Sequence, residues 1–170
     1  MSTKVGKFSA GVATRQISRW QFQLLEPLEF NDPVNGLRVV PAGFSSNLAS
    51  IRMLREICRL AAIAAMVGGL FLPGWFSVTC WFVSFTALML YGLVVGYGMR
   101  GAILHDWEYA RGDLPRAECD SMFERALHTG DGTARWRSLG LFYPAVRVFG
   151  ARHYTKTPAS PGFFTHGEKP

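Results

Sequence analysis

The sequence predicts an α+β fold: a small antiparallel β unit plus about three helices, interrupted by a transmembrane helical hairpin. Polar and apolar residues alternate over residues 20–24, which is the period of a half-buried strand. Apolar residues recur at helical spacing in the C-terminal part of the chain. Between these parts, residues 60–99 contain none of the 18 Lys and Arg or 12 Asp and Glu residues, so this stretch is apolar enough to enter a bilayer.

The distribution of charge also predicts the domain organisation. The 170 residues favour one domain, and either charged flank alone is near the lower limit for an independent core. We therefore expect residues 15–56 and 100–154 to form one discontinuous soluble domain, with the transmembrane hairpin at residues 57–99 inserted into it. Residues 1–14 and 155–170 are expected to be flexible. The polar N-terminal segment lacks the apolar stretch of a cleavable signal peptide.

The β unit is expected before the apolar run. Residues 20–24 form the first strand, and residues 28–30 resume the alternating pattern. Residues 31–36 are rich in turn formers and end in Asn-Gly, and residues 37–40 return as a strand. A β-hairpin or small meander is therefore expected, followed by a loop of small and polar residues.

A Pro73-Gly74 dipeptide divides the apolar run into two helices, because proline tends to end the preceding helix. Residues 57–72 correspond to about 24 Å of helix and residues 76–99 to about 36 Å, against a hydrocarbon core of about 30 Å. A single span would place two Arg- and Lys-rich flanks on opposite membrane faces. A soluble domain of this size could not cover two such helices, so a membrane hairpin is preferred.

Three helices are expected after the hairpin. The first covers residues 101–110. The second is opened by Asp113 as an N-cap, with Pro115 in the first turn, and continues to His128. After a turn at residues 130–133, the third helix extends to Phe149 with a kink at Pro144.

The positive charge is interpreted as a topological signal. The net charge is +6 and the pI is 9.6. Arg52, Arg55 and Arg59 precede the apolar run and Arg100 follows it, as in flanks that are retained in the cytoplasm. No Lys- and Arg-rich block or RNA-binding signature supports binding to nucleic acid. The lipid bilayer is therefore the expected partner.

Four polar residues are the strongest candidates for a functional site. His105 and Tyr109 share one face of a helix, and Asp106 is adjacent to His105. Asp120 lies on the next helix, which a short antiparallel return could place opposite His105. An imidazole with two carboxylates suits a divalent metal or acid–base catalysis, so His105, Asp106 and Asp120 are predicted as ligands or catalytic residues. Tyr109 is predicted as a binding residue.

Structural roles are the alternative for the same residues. Asp106 could cap a helix or pair with Arg111. Asp120 could pair with Arg116 at i−4, and His105 could be a helix histidine with satisfied hydrogen bonds. The chain contains no G-x-S-x-G, P-loop or H-E-x-x-H motif, so no nucleophile stands out.

Four segments carry a resemblance to a known family. Residues 40–51 resemble a V-P-A-G-F-x-T-D-x-A-S-V motif, residues 102–109 resemble A-x-x-H-D-x-x-Y, residues 116–123 resemble R-A-x-x-D-x-x-F, and residues 146–150 resemble V-R-x-x-G. The four motifs belong to a small family of phage and prophage proteins of unknown function. Their order and spacing agree over residues 22–154, apart from the apolar run.

The resemblance implies one domain built from both flanks, and a phage or prophage origin. It also implies a polar site, which carries over to Ser46, Asn47, His105, Asp106 and Asp120. Asn47 stands where the family has an aspartate, and asparagine lacks the charge that a metal site or a general base needs. The proline expected after Ile51 is also replaced, by Arg52.

Two functions follow from these observations. The first is a non-enzymatic phage or prophage protein anchored in the membrane: a virion or tail accessory, or a host-membrane factor such as one that excludes superinfecting phage. The alternative is a membrane-tethered, metal-dependent hydrolase that uses His105, Asp106 and Asp120. The expected location is the bacterial inner membrane with the soluble part in the cytoplasm, or a part of the phage particle that contacts a membrane. Other phage or host membrane proteins are the further partners implied.

Overall fold

The computed structural model describes residues 6–9, 11–19, 21–129, 135–152 and 154. These residues form two three-stranded antiparallel sheets and five helices, so the predicted α+β class is confirmed. They divide into two compact units. We call Arg52–Gly96 the insertion unit and the other described residues the main unit.

The elements follow one another along the chain as strands and then helices. The strands are β1 (Lys7–Phe8), β2 (Thr14–Ser18), β3 (Gln21–Leu24), β4 (Leu28–Asp32), β5 (Gly36–Val40) and β6 (Ser45–Ser46). The helices are α1 (Ala49–Phe71), α2 (Trp75–Val94), α3 (Met99–Arg111), α4 (Arg116–Leu127) and α5 (residues 135–149).

The two sheets contain the predicted hairpin and three strands that the sequence did not predict. The first sheet has the order β1-β4-β5, and the second has the order β2-β3-β6. The β4–β5 turn is closed by Asn35, whose backbone and side-chain N–H groups donate to Asp32 Oδ2 at 3.0 and 2.6 Å. Strands β1 and β6 are two residues long, and β2 buries no residue. None of the three therefore carries an alternating apolar signal.

Helices α3 and α4 supply much of the core of the main unit. Leu104 on α3 and Phe123 on α4 are among its fully buried side chains. The prediction of Asp113 as the N-cap of α4 is wrong, because α4 begins at Arg116 and has no side-chain cap. Asp113 instead forms an ion pair with Arg111, which ends α3.

Helix α5 contains a π-helical turn before Pro144, where the sequence predicted a kink. The turn, Ser138–Phe142, lies between the α-helical segments Arg135–Arg137 and Tyr143–Phe149. Proline has no N–H to donate to the preceding turn, and a widened turn accommodates this loss without ending the helix. The turn predicted at residues 130–133 and the tail predicted to be flexible lie outside the described residues.

The insertion unit contains two helices that pack antiparallel. Ser84 Oγ on α2 donates to the Ala62 carbonyl on α1 at 3.0 Å, and Ser77 Oγ donates to the Gly69 carbonyl at 2.6 Å. The helices approach closely at Gly69, where an added Cβ would lie 2.8 Å from Trp81 Nε1. Small residues and hydroxyl-to-carbonyl bonds of this kind are frequent where membrane helices pack together.

Among the described helices, α2 alone is long and apolar enough to span a membrane. It has no charged residue, and 17% of its apolar stretch is buried. Helix α1 begins at Ala49, earlier than predicted, and its first half carries Arg52, Arg55, Glu56 and Arg59. Helix α2 ends at Val94, earlier than the residue 99 expected from the sequence. The described fold therefore contains a helical hairpin with one arm of membrane-spanning character.

Two buried ion pairs join strands before the insertion unit to helices after it. Arg38 on β5 donates two hydrogen bonds to Glu108 on α3, one of them at 2.9 Å, and Glu108 is 0% exposed. Arg125 on α4 donates to both carboxylate oxygens of Asp32 at 2.6 and 2.8 Å. Burial alone would raise the pKa of Asp32, but the hydrogen bonds from Arg125 and Asn35 outweigh it and lower that pKa.

We predict that Glu108→Ala destabilises the main unit by about 3 kcal/mol, because it leaves the Arg38 guanidinium in a mostly buried position without its carboxylate. The matched control is Asp113→Ala, which breaks the partly exposed pair with Arg111 and should cost about 1 kcal/mol or less. Urea unfolding of the whole chain in detergent measures both losses. Equal losses for the two variants would contradict the structural role of the buried pair.

Candidate functional site

His105 and Asp120 form the centre of the candidate site. His105 lies on α3 and Asp120 on α4, and a short connection after Gly112 turns the chain so that the two side chains meet. His105 Nε2 lies 3.0 Å from Asp120 Oδ1. The two side chains are 2% and 0% exposed. The antiparallel return inferred from the sequence therefore places Asp120 opposite His105.

Asp120 has further hydrogen-bond donors on both carboxylate oxygens. The Tyr109 hydroxyl donates to Oδ1, which also faces His105, and Arg147 Nη1 donates to Oδ2 at 2.9 Å. Arg116 Nε lies 3.9 Å from Oδ2, so the i−4 pair proposed as the structural alternative is present. Burial would raise the pKa of Asp120, but the hydrogen bonds from His105, Tyr109 and Arg147 outweigh it and lower that pKa. The carboxylate is thus held in its charged form.

Aromatic rings enclose the imidazole. The His105 ring centroid lies 3.9 Å from that of Tyr109 and 4.9 Å from that of Phe123. Burial and the bond to Asp120 raise the pKa of Tyr109, so its hydroxyl keeps its proton and acts as a donor. The site is therefore a packed, buried cluster in which each named group already has a partner.

Asp106 belongs to a different contact. Ser46 Oγ donates to Asp106 Oδ2 at 2.5 Å and accepts the Leu48 N–H at 3.0 Å. Consecutive residues of a helix point about 100° apart, so His105 faces α4 while Asp106 faces the β6 loop. Phe44 of this loop also packs edge-on against Trp107, with ring centroids 5.1 Å apart. The predicted site residue Ser46 therefore attaches the loop to α3.

Asn47 acts at the start of α1. Its Oδ1 accepts the Ala49 N–H at 2.9 Å, and its side chain is exposed. This bond satisfies an amide at a helix N-terminus, a role that aspartate and asparagine fill about equally well. The hydrogen bond of Asn47 is thus made to the start of α1.

The proposed metal ligands are not assembled into one site. His105 and Asp120 bond each other, whereas Asp106 bonds Ser46. Within the described ranges, no group of three or more His, Cys, Asp or Glu side chains is arranged to hold a metal ion. The cluster can therefore fix α3, α4 and α5 to one another, and its geometry does not present three ligands to a common point.

The sequence analysis did not predict most of the arginines that pair with the buried carboxylates. Arg147 and Arg38 are 27 and 70 residues from the carboxylates they bind, so no local spacing indicates these pairs. Arg125 also donates to Glu118 at 2.7 Å, seven residues earlier on the same helix. A spacing of seven residues is two helical turns, so this pair alone could have been inferred from the sequence.

The chain matches no protein-family model, no curated protein and no solved structure among those compared with it. The motifs read from the sequence nevertheless contact one another. Ser46 of the first bonds Asp106 of the second, and Arg147 of the fourth bonds Asp120 of the third. Arg116 of the third motif also donates to the Val146 carbonyl of the fourth at 3.1 Å.

We predict that His105→Ala lowers the free energy of unfolding by roughly 1–3 kcal/mol, because it leaves the buried Asp120 short of one partner. The matched control is His128→Ala, which should cost less because the buried Nε2 of His128 has no hydrogen-bond partner. Urea unfolding and metal analysis of the purified proteins measure stability and metal content together. A wild-type metal that is lost from His105→Ala with unchanged stability would contradict the structural role.

We predict that Asp120→Asn reduces the loss of stability in acid. The pKa of Asp120 is lowered in the folded state, so the unfolded state binds more protons as the pH falls below about 5. The stabilisation from the charged carboxylate is complete above that pH and is lost as the pH falls through the folded pKa. Urea unfolding from pH 6 down to about 3 should therefore give a steeper decline for the wild type than for Asp120→Asn. Identical slopes would refute the prediction.

Proposed function

We propose that this protein is a non-catalytic phage or prophage component anchored in a membrane. In this proposal the insertion unit enters the bilayer and holds the main unit at the cytoplasmic face of the bacterial inner membrane, or at a membrane contacted by the phage particle. The role is that of a virion or tail accessory, or of a host-membrane factor such as one that excludes superinfecting phage.

The exposed apolar surface of the insertion unit carries the anchoring proposal. Large apolar side chains on both helices face outwards, with Phe71 80% and Phe82 70% exposed. Soluble proteins rarely expose contiguous apolar surface of this extent, whereas a bilayer would cover it. The low burial of α2 also differs from that of a soluble core helix, which is mostly buried.

A hairpin in the bilayer agrees with the distribution of charge on α1. Its uncharged half, residues 60–71, follows Arg52, Arg55 and Arg59. Arginines at the end of a membrane helix extend their guanidinium groups to the headgroups, which suits the cytoplasmic side. In the proposal α2 spans the bilayer and α1 crosses beside it, with the guanidinium groups of its first half extending to the cytoplasmic headgroups. Both flanks are then cytoplasmic, and the Pro73-Gly74 turn reaches the opposite face.

The non-catalytic part of the proposal is supported by the hydrogen bonds that the polar residues make with one another and with the backbone. His105, Asp120 and Tyr109 are packed against one another, and Ser46 bonds Asp106. Asn47 satisfies an amide of α1. The phage origin is supported by the four-motif resemblance.

We predict that a reporter fused at Gly74 is exported, whereas a reporter fused after Pro170 stays in the cytoplasm. The charge-free turn and the Arg-rich flanks give this direction. Phosphatase and fluorescent-protein reporters in a bacterial host measure the two positions. A cytoplasmic reading at Gly74, or an exported reading after Pro170, would exclude the proposed hairpin.

Substitution of an exposed apolar residue by arginine tests whether α2 is inserted in the bilayer. Phe85→Arg places a cation on the exposed face of α2, at a cost of about 3 kcal/mol in a helix centre. It should reduce the fraction of protein retained by membranes in alkaline carbonate. Leu37→Arg, at an exposed position of the main unit, should leave that fraction unchanged.

A further inference from the structure

Helix α5 has one buried side and one exposed side with apolar and basic residues. Phe142 and Val146 are buried in the main unit, whereas Trp136 is 56% and Val148 69% exposed. Leu139 is also exposed, and Arg135 begins the helix on the solvent side. We call Arg135, Trp136, Arg137, Leu139 and Val148 the α5 outer face. Tryptophan and arginine beside aliphatic residues are characteristic of helices that lie in a membrane interface.

The main unit places this helix beside both points where its chain meets the insertion unit. Ile51 is the last residue before the insertion unit, and Tyr97 is the first residue after it. A Cβ added at Gly98 would lie 3.8 Å from Ile51 and 3.8 Å from Phe142 of α5. The Arg137 guanidinium lies 4.3 Å from the centroid of the Tyr97 ring. If the insertion unit enters a bilayer, its two ends are at the surface, and α5 is within reach of the headgroups.

The basic residues of the α5 outer face indicate which lipids it would bind. Arg147 on the same helix is held by Asp120, so its charge is already paired. Arg135 and Arg137 remain, and Arg137 stacks on the rings of Trp136 and Tyr97. Arg137 is half-buried and its Nε is buried, so the outer end of its guanidinium is the part that would meet phosphate oxygens. The described part of α5 contains no acidic residue that would oppose an anionic surface.

We infer that the α5 outer face docks on anionic phospholipid headgroups of the bilayer that holds the insertion unit. The inference rests on the proposed anchoring and adds a second contact with the membrane. Trp136, Leu139 and Val148 enter the interfacial region, and Arg135 and Arg137 bind the phosphate groups. The contact gives the main unit a second attachment to the membrane besides its tether.

A fluorophore on α5 tests this contact in the full chain. Gly140 lies on α5 with nothing within 4 Å of an added Cβ, so Gly140→Cys can carry the label with little disturbance. Cys80→Ser removes the half-buried native thiol, and the other two native thiols are buried. The protein is reconstituted at one copy per nanodisc, in phosphatidylcholine with or without phosphatidylglycerol and with a headgroup-attached quencher. We expect strong quenching only in the anionic discs.

Two matched variants make the result specific. Arg135→Gln should weaken the docking equilibrium roughly fivefold, which corresponds to ~1 kcal/mol for a basic residue near an anionic surface. A label at Gly11→Cys, another open position in the main unit, should respond neither to lipid charge nor to Arg135→Gln.

The possible failures are distinguishable. Quenching at residue 140 that is equal in both lipids and insensitive to Arg135→Gln would overturn the docking. Quenching that requires two copies in one disc would overturn it in favour of self-association. Release of the protein from membranes by alkaline carbonate would overturn the anchoring itself, whereas retention with an unquenched label overturns the docking alone.

Discussion

The structure depends on three buried carboxylates that must find cationic partners. Asp32, Glu108 and Asp120 have side chains with almost no exposure, and an unpaired charge in such a position costs several kcal/mol. Arg38 pairs with Glu108 and Arg125 with Asp32, and each pair joins a strand that precedes the insertion unit in the sequence to a helix that follows it. These strands must therefore assemble with these helices. The main unit can therefore be complete only when both flanks are present, although they are distant in sequence.

The same arrangement explains how the chain accommodates the insertion. Ile51 and Gly98 lie near a common point, so the insertion unit leaves and re-enters the main unit at neighbouring positions. The entropy of closing a loop grows slowly with its length, and a self-contained pair of helices adds little further constraint. Asn47 satisfies an amide at the first turn of α1, which starts the inserted helix from the end of the β6 loop. The main unit thus needs a connector of suitable end-to-end distance, and the sequence of that connector can vary widely.

Features that depend on a local pattern could be predicted from the sequence. Contacts between residues that are distant in the sequence could not. The β4–β5 hairpin, the apolar helices and the pairing of His105 with Asp120 all follow from short-range periodicity or a short return. The bond between Asp106 and Ser46 was not predicted, because it depends on how the β6 loop packs against α3. The Arg147 contact with Asp120 could not be predicted, because it depends on how α5 packs after an intervening turn. Two-residue strands such as β1 are too short to carry a periodic signal.

Asn47 stands where the resembled motif has an aspartate, and the structure gives this position a capping role. From the sequence, Asn47 argued against catalysis because a charge is missing. In the structure the position accepts an N–H at the start of α1, and the oxygen of either side chain can do so. Ser46, in the same motif, ties the loop to α3, and Asp120 ties α3 to α4 and α5. The four motif segments are therefore joined by direct side-chain contacts, and the insertion unit falls between the first two of them in the sequence.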